Sequence, residues 1–215
     1  MVFGKIEYLN LLPFHIFMKR YMQHSSSKMG MEYKKNVPAK INKKFLSRNV
    51  DAAFISSIAA KGKKHLQLGI IAKKEVGSVF VLPHKPSRKD KESATSNVLA
   101  DVLHLQGEVL IGDKALRYAL EHNDYIDLAQ EWYNKHHLPF VFALLCYHKE
   151  GKFYKKLERN FLNTKVKIPQ YLLHKASHQT QVPPQEILNY LKLISYTLDT
   201  KAQKGLKRFY MEVAK

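Results

Sequence analysis

The apolar positions of the chain change period several times, and each change marks an element. In "KIEYLNLLPFH", Lys5 to His15, Ile6 and Tyr8 alternate as the inner face of a strand does, and Pro13 suits the first turn of a helix. Phe14, Phe17, Met18 and Tyr21 then recur at i, i+3, i+4 and i+7, which predicts a helix with one buried stripe. "SSSKMGM" breaks that pattern, and a short strand is expected near "MEYKKNVP". Residues 39–48 predict a helix with Ile41, Phe45 and Leu46 inward. "VDAAFISSIAA" reads as a strand running into a new helix. Its Ala52–Ile55 run is uniformly apolar, as in a parallel strand covered on both faces. "LQLGIIA" is the next strand, and this alternation of strands and helices argues for an α/β fold with a parallel sheet.

Across "GSVFVLPHKPSRKDKESATSN" the character changes to a β-rich run, two prolines, a charge run and a cluster of small residues, so a domain crossing is expected there. A second set of elements follows: a helix in "NVLADVLHL", a strand in "EVLIGD", a helix in "KALRYALEH" and another in "YIDLAQEWYNKHH". "LPFVFALLCYH" is then a strand long enough to lead back toward the first unit. The remainder reads as helical. One stripe is Ile187, Leu191, Ile194 and Leu198 after Pro183 and Pro184, and another is Leu206, Phe209 and Val213 after Gly205. Both are packing stripes without catalytic residue types.

Composition narrows the classes. An apolar fraction of 45% with 25% charged residues is that of an ordinary folded domain. The single cysteine, Cys146, forms no internal disulfide and no CxxC site, which suits a reducing compartment. Lys5, Glu7 and Asn10 interrupt what would be a signal-peptide core, and no run of about 18 apolar residues is present to span a bilayer. A cytoplasmic protein with no membrane insertion is therefore expected. The 36 Lys and Arg against 18 Asp and Glu give a net charge of +18, spread along the whole chain. No RNP, zinc-finger or helix-turn-helix signature accompanies it, so no specific nucleic-acid partner is expected, and the charge suits a solvated surface that draws anionic substrates.

Candidate chemistry gathers where strands meet helices. Asn10, Ser56 with Ser57, and Gly112 with Asp113 end three such junctions, and "SATS" at 93–96 precedes a helix, which adds Thr95 and Ser96. In open α/β sheets ligands bind beyond the carboxyl ends of strands, where helix N-termini offer free N–H groups to anions. Each of these residue types is also an ordinary helix N-cap, so capping and ligand contact both stand for every position. No metal is expected: "HKASH" places His174 and His178 four apart without the Glu of a zincin, and His136 and His137 are adjacent in sequence. GxSxG, GxGxxG and Walker loops are absent, and no nucleotide cofactor is expected.

Read together and in order, "IEYLNLLPF", "VDAAFISSIAA", "GSVFVLP", "SATSN", "LIGDKALR" and "DLAQEWYNKHHLPFVFA" resemble the chorismate dehydratase family of the futalosine route to menaquinone, from about residue 4 to the C-terminus. The resemblance implies a periplasmic-binding-protein-like (type II) fold, with two α/β lobes, a cleft between them and a helical C-terminus. Lobe 1 would comprise residues 1–80 and 148–215, and lobe 2 a shortened 81–147. A transport receptor of this architecture would need an export signal, so the cytoplasmic enzyme is favoured. A related family of the same pathway opens with an "SPCPNDTF"-like motif, where this chain has "EYLNLLPF". The implied activity removes water from chorismate, the small-molecule substrate, without cofactor. Ser56, Ser57, Thr95 and Ser96 would receive its carboxylates, with Ser78 on the crossing strand and Gly112 beside them. Asn10 would position the substrate. Asp113, the ionisable residue of the junction motifs, sits at a helix N-terminus that should lower its pKa and suits a cap more than a base. The substrate's own enolpyruvyl carboxylate is therefore the expected base. Rival readings are a non-catalytic binder of a small carboxylate and a basic nucleic-acid module.

Overall fold

The computed structural model describes residues 1–24 and 30–214, so most of the predicted break at "SSSKMGM" lies outside the described residues. The first strand, β1 (Val2–Lys5), ends before Ile6 and Tyr8, which fall in the connection that follows it. A single 3-10 turn at Leu9–Leu11 then feeds α1 (Leu12–His24). Pro13 falls in the first turn of α1, where its missing N–H costs no helix bond. Phe14 and Met18 are wholly buried, as the stripe requires.

β2 (Glu32–Lys35) and β3 (Ala52–Ser56) flank β1 on either side, both parallel to it, and α2 (Pro38–Leu46) connects them. Leu46, expected inward, is 49% exposed because the inner face of α2 ends with Ile41, Asn42 and Phe45. Every residue of β3 is buried, and a short helix α3 (Ser57–Ala60) follows it directly. The strand is parallel on one side only. On its other side it pairs antiparallel with β8 (Phe140–Tyr147), which pairs antiparallel in turn with β4 (His65–Ala72). The large sheet is therefore mixed, where the alternating pattern had suggested a parallel one. The cause is that β8 returns from the far side of the molecule instead of through a crossover helix.

The smaller sheet is antiparallel throughout. Its centre is β5 (Val79–Leu82), between β6 (Glu108–Ile111) and the two-residue β7 (Ile126–Asp127). Three helices pack around it: α4 (Ala94–Val102), α5 (Gly112–Glu121) and α6 (Leu128–His136). Thus residues 79–82 belong to the smaller sheet and 140–147 to the larger. The chain passes between the sheets twice, at 73–78 and at 137–139.

The C-terminal part contributes α7 (Gly151–Leu162), α8 (Gln170–Thr180), α9 (Pro184–Leu193) and α10 (Thr200–Glu212). The helical stripe expected to run through Ile194 and Leu198 stops at Leu193. Residues Ile194–Thr197 form β9, the edge strand of the six-stranded sheet, paired antiparallel with β4. Val213, placed by its spacing in a buried stripe, is 39% exposed at the end of α10. Among the described residues no helix is long and apolar enough to cross a membrane.

The first turn of α1 holds one titratable group in a fixed state. His15 Nε2 lies 2.8 Å from the Ile6 carbonyl, which only accepts, so that nitrogen carries the hydrogen. Burial pushes the imidazole down to about 4, with the Lys5 charge acting in the same direction. The unfolded chain takes up a proton near pH 6.5 and the native state does not until about pH 4, so this contribution to stability is intact above 6.5 and fades as pH falls toward 4. His15→Gln keeps a donor for Ile6 but cannot titrate. Urea unfolding of the two proteins should show the parent losing on the order of 1–2 kcal/mol more than the variant between pH 7 and pH 4.5.

Candidate active site

The turn after β1 delivers two side chains to the space between the sheets. Tyr8 is extended, and its ring lies against Gly112 at the start of α5, where an added Cβ would sit 3.1 Å from the ring. Its hydroxyl donates to Glu92 Oε2, a contact that crosses from the larger sheet's connections to the segment before α4. Burial and the Glu92 charge both push the phenol well above its ordinary range, so Tyr8 is a neutral donor. Asn10 is held through its backbone, because its carbonyl accepts from Tyr196 Oη at 2.6 Å. Its side chain meets the Tyr190 hydroxyl, which also lies 3.0 Å from Ser78 Oγ.

At the end of β3, Ser56 is clasped by Asn42 of α2: its N–H donates to Oδ1 at 3.1 Å, and Asn42 Nδ2 donates to Ser56 Oγ at 2.9 Å. The Ser56 hydroxyl hydrogen is thereby left for another acceptor. A similar arrangement occurs at α4. Ser93 caps the helix, accepting from Ser96 N–H at 3.1 Å, and its hydroxyl donates to Ser96 Oγ at 2.7 Å. The Ser96 hydroxyl hydrogen is in turn unspent. Opposite, Gly112 donates its N–H to the Ser78 carbonyl at 2.8 Å, in a left-handed conformation at φ +63°.

These residues line one cavity of about 90 Å³, several times what a single water needs. Asn10, Ser56, Ser78, Ser96 and Gly112 are on its wall, with Phe54, Val76 and Phe142 supplying apolar surface. Three other candidates stand behind the wall. Ser57 Oγ and Thr95 Oγ1 lie 3.2 Å apart, both fully buried, and Thr95 also accepts from Ile58 N–H at 3.3 Å. They join α3 to α4 and do not face the cavity. Asp113 Oδ1 accepts from Leu9 N–H at 3.5 Å. The expected lowering of its pKa is not found: burial raises it, outweighing the Leu9 bond and the Arg117 charge. No Lys, Arg or His lines the cavity among the described residues, and Glu92 is its one charged side chain.

The sequence reading does not single out Tyr8, Asn42, Glu92 or Tyr190, and it reaches Ser93 only as part of "SATS". By its spacing Tyr8 reads as a strand's inner face, Tyr190 lies within a helix whose stripe reads as packing, and Glu92 is hidden in the charge run "RKDKE". A usable signal was adjacency: Tyr8 and Glu92 each lie within two residues of a named junction residue or motif.

A cleft between two α/β units, walled by strand ends and helix starts, defines a periplasmic-binding-protein-like fold. The Menaquinone biosynthesis family matches residues 1–104 and 99–215, and the chain belongs to that family. It is 46% identical over 213 residues to the chorismate dehydratase of Campylobacter jejuni, covering 97% of this chain and 96% of the relative. Among solved structures, protein AF1704 of Archaeoglobus fulgidus superposes with a TM-score of 0.75 at 14% identity, over 99% of this chain and 96% of that one. The alkanesulfonate-binding protein SsuA of Xanthomonas axonopodis superposes with a TM-score of 0.58 at 11% identity, covering 99% and 92%. The aliphatic sulphonate binding protein SsuA of Escherichia coli gives 0.53 at 12%, covering 98% and 86%. At these identities the likeness is one of fold.

Gly112 is where backbone geometry and cavity meet. Gly112→Ala adds a Cβ both at a positive φ and against the Tyr8 ring. A loss of about 1–2 kcal/mol is expected in denaturant titration at unchanged m-value.

Proposed function

We propose that this protein is a chorismate dehydratase, converting chorismate to 3-[(1-carboxyvinyl)oxy]benzoate and water in menaquinone biosynthesis, and that it works in the cytoplasm. The observation that carries the reading is the 46% identity over 213 residues to the Campylobacter jejuni enzyme of that name. The cavity supports it through its chemistry. Chorismate carries two carboxylates, and the wall offers neutral donors in Ser56, Ser78, Ser96 and the Asn10 amide, beside the N-termini of α4 and α5. Such donors, fixed by Asn42, Ser93 and Tyr190, orient a dianion without reorganising around it.

In the reaction a proton leaves the ring carbon that bears the enolpyruvyl ether, hydroxide leaves the neighbouring carbon, and the ring becomes aromatic. The proton passes to the substrate's own enolpyruvyl carboxylate, held within reach by the cavity wall. Asp113 stands behind the wall with an oxygen turned to Leu9 N–H, which supports a structural role for it. Asn10 holds the departing hydroxyl or an adjacent carboxylate.

Purified protein incubated with chorismate and no added cofactor should consume it and release the benzoate, followed by liquid chromatography. Tight chorismate binding without aromatic product would make the protein a carboxylate binder instead. Asn10→Ala should fold normally and lose about 100-fold in kcat. Asp113→Asn should stay within a few-fold of the parent in kcat, and a loss of several orders of magnitude with the fold intact would transfer the base to Asp113.

A further inference from the structure

Departure of hydroxide from chorismate calls for a proton as much as ring deprotonation calls for a base, and the wall of neutral donors leaves the source of that proton open. Two observations bear on it. First, Glu92 carries the one charged side chain on the cavity wall and is joined by a hydrogen bond to the hydroxyl of Tyr8, which also lines the cavity. Second, Glu92 borders an outer cleft formed by Arg88, Lys89, Asp90, Lys91 and Lys114, and it alone is common to the two linings. The carboxyl group therefore stands in the partition between the cavity and a second cleft with a largely basic rim.

The charges around that partition favour proton uptake when a dianion enters. Facing Glu92 are Tyr8 from the turn after β1, Asp90 and Lys91 beside it, and Asp113 and Lys114 from α5. Arg88, Lys89 and Glu108 line the outer cleft. Arg88 is engaged by Glu108 and Lys89 by Asp101 at 2.7 Å. Among the described residues no side-chain cation lines the cavity to offset two added carboxylates, so proton entry beside them is favoured.

Building on the dehydratase reading, we infer that Glu92 and Tyr8 form a two-membered proton relay that protonates the departing hydroxyl of chorismate. Before substrate binds, Tyr8 donates to the Glu92 carboxylate. As the dianion enters, Glu92 takes a proton from solvent through the outer cleft, and its hydrogen bond with Tyr8 reverses. The carboxylic acid then donates to the phenol oxygen, and the phenol hydrogen turns to the substrate. When the ring proton moves to the enolpyruvyl carboxylate, the C–H electron pair enters the ring and the C–O pair leaves with the hydroxyl oxygen. That oxygen takes the Tyr8 proton to become water, and Tyr8 takes the Glu92 proton. The enolpyruvyl acid returns its proton to solvent and Glu92 is recharged from solvent, so the cycle consumes none. Tyr8 touches the substrate, and Glu92 acts through it.

The test compares the parent with Glu92→Gln, Tyr8→Phe and the double variant, each checked for native circular dichroism. Loss of the relay should lower kcat about 100-fold in each single variant, with KM within about threefold and the double variant no slower than either single. In the parent, kcat should fall as pH rises, and Glu92→Gln should lack that limb. Independently of turnover, titration calorimetry with the benzoate product in buffers of different ionisation enthalpy should register proton uptake by the parent and none by Glu92→Gln. A Glu92→Gln protein that keeps the alkaline limb, keeps the proton uptake or turns over at the parental rate overturns the relay while leaving the dehydratase reading intact. A parent that makes no aromatic product overturns both.

Discussion

Everything that faces the cavity depends on how the chain is held as it passes between the sheets, and one carboxylate governs the first passage. Asp127 Oδ2 accepts from the backbone N–H groups of Val76 and Gly77 at 3.0 and 2.7 Å, while Oδ1 caps α6 through Ala129 and Gln130 at 2.9 and 3.1 Å. Four donors on one group fix the outgoing segment to the smaller sheet just before Ser78 reaches the wall. Burial still raises the Asp127 pKa, because desolvation outweighs the four bonds together. The return passage is held by packing. Trp132 of α6, Phe140 of β8 and Phe209 of α10 meet edge to face, with centroids 4.9 to 5.9 Å apart, on either side of residues 137–139.

The positive charge of the chain and the make-up of its cavity wall are separate features. The net charge of +18 is spread along the whole chain, while no Lys, Arg or His lines the cavity among the described residues and Glu92 is its one charged side chain. The hydroxyls of Ser56 and Ser96 and the Asn10 side chain are each met by a neighbour, Asn42, Ser93 and Tyr190. The spread lysines set the long-range field around the molecule.

Elements with a strong local period were legible from the sequence: the α1 stripe and the buried β3 run stand where side-chain spacing puts them and Ser56 closes its strand, whereas Asn10 lies in a 3-10 turn beyond the end of β1. Less legible was whatever depended on distant partners. β8 is as apolar as a parallel strand, and only its pairing with β3 and β4 sets its direction. β9 is a strand because β4 offers it an edge, although its residues continue a helical spacing. Asp113 shows the same limit in electrostatics: helix position argues for a lowered pKa, but burial raises it and outweighs the Leu9 N–H bond. The Tyr8–Glu92 contact joins residues 84 positions apart, a distance no local pattern encodes.

The lone thiol shows what the mixed sheet does beyond holding the cavity. Cys146 sits on β8 opposite Ala53 and His65, with no exposed surface, and burial pushes it up to about 12. Electrophiles that read thiolates have nothing to attack while β8 stays paired on both edges. The protein's inertness toward such reagents is therefore a property of strand pairing, and the thiol acquires ordinary cysteine chemistry only when the central strand opens.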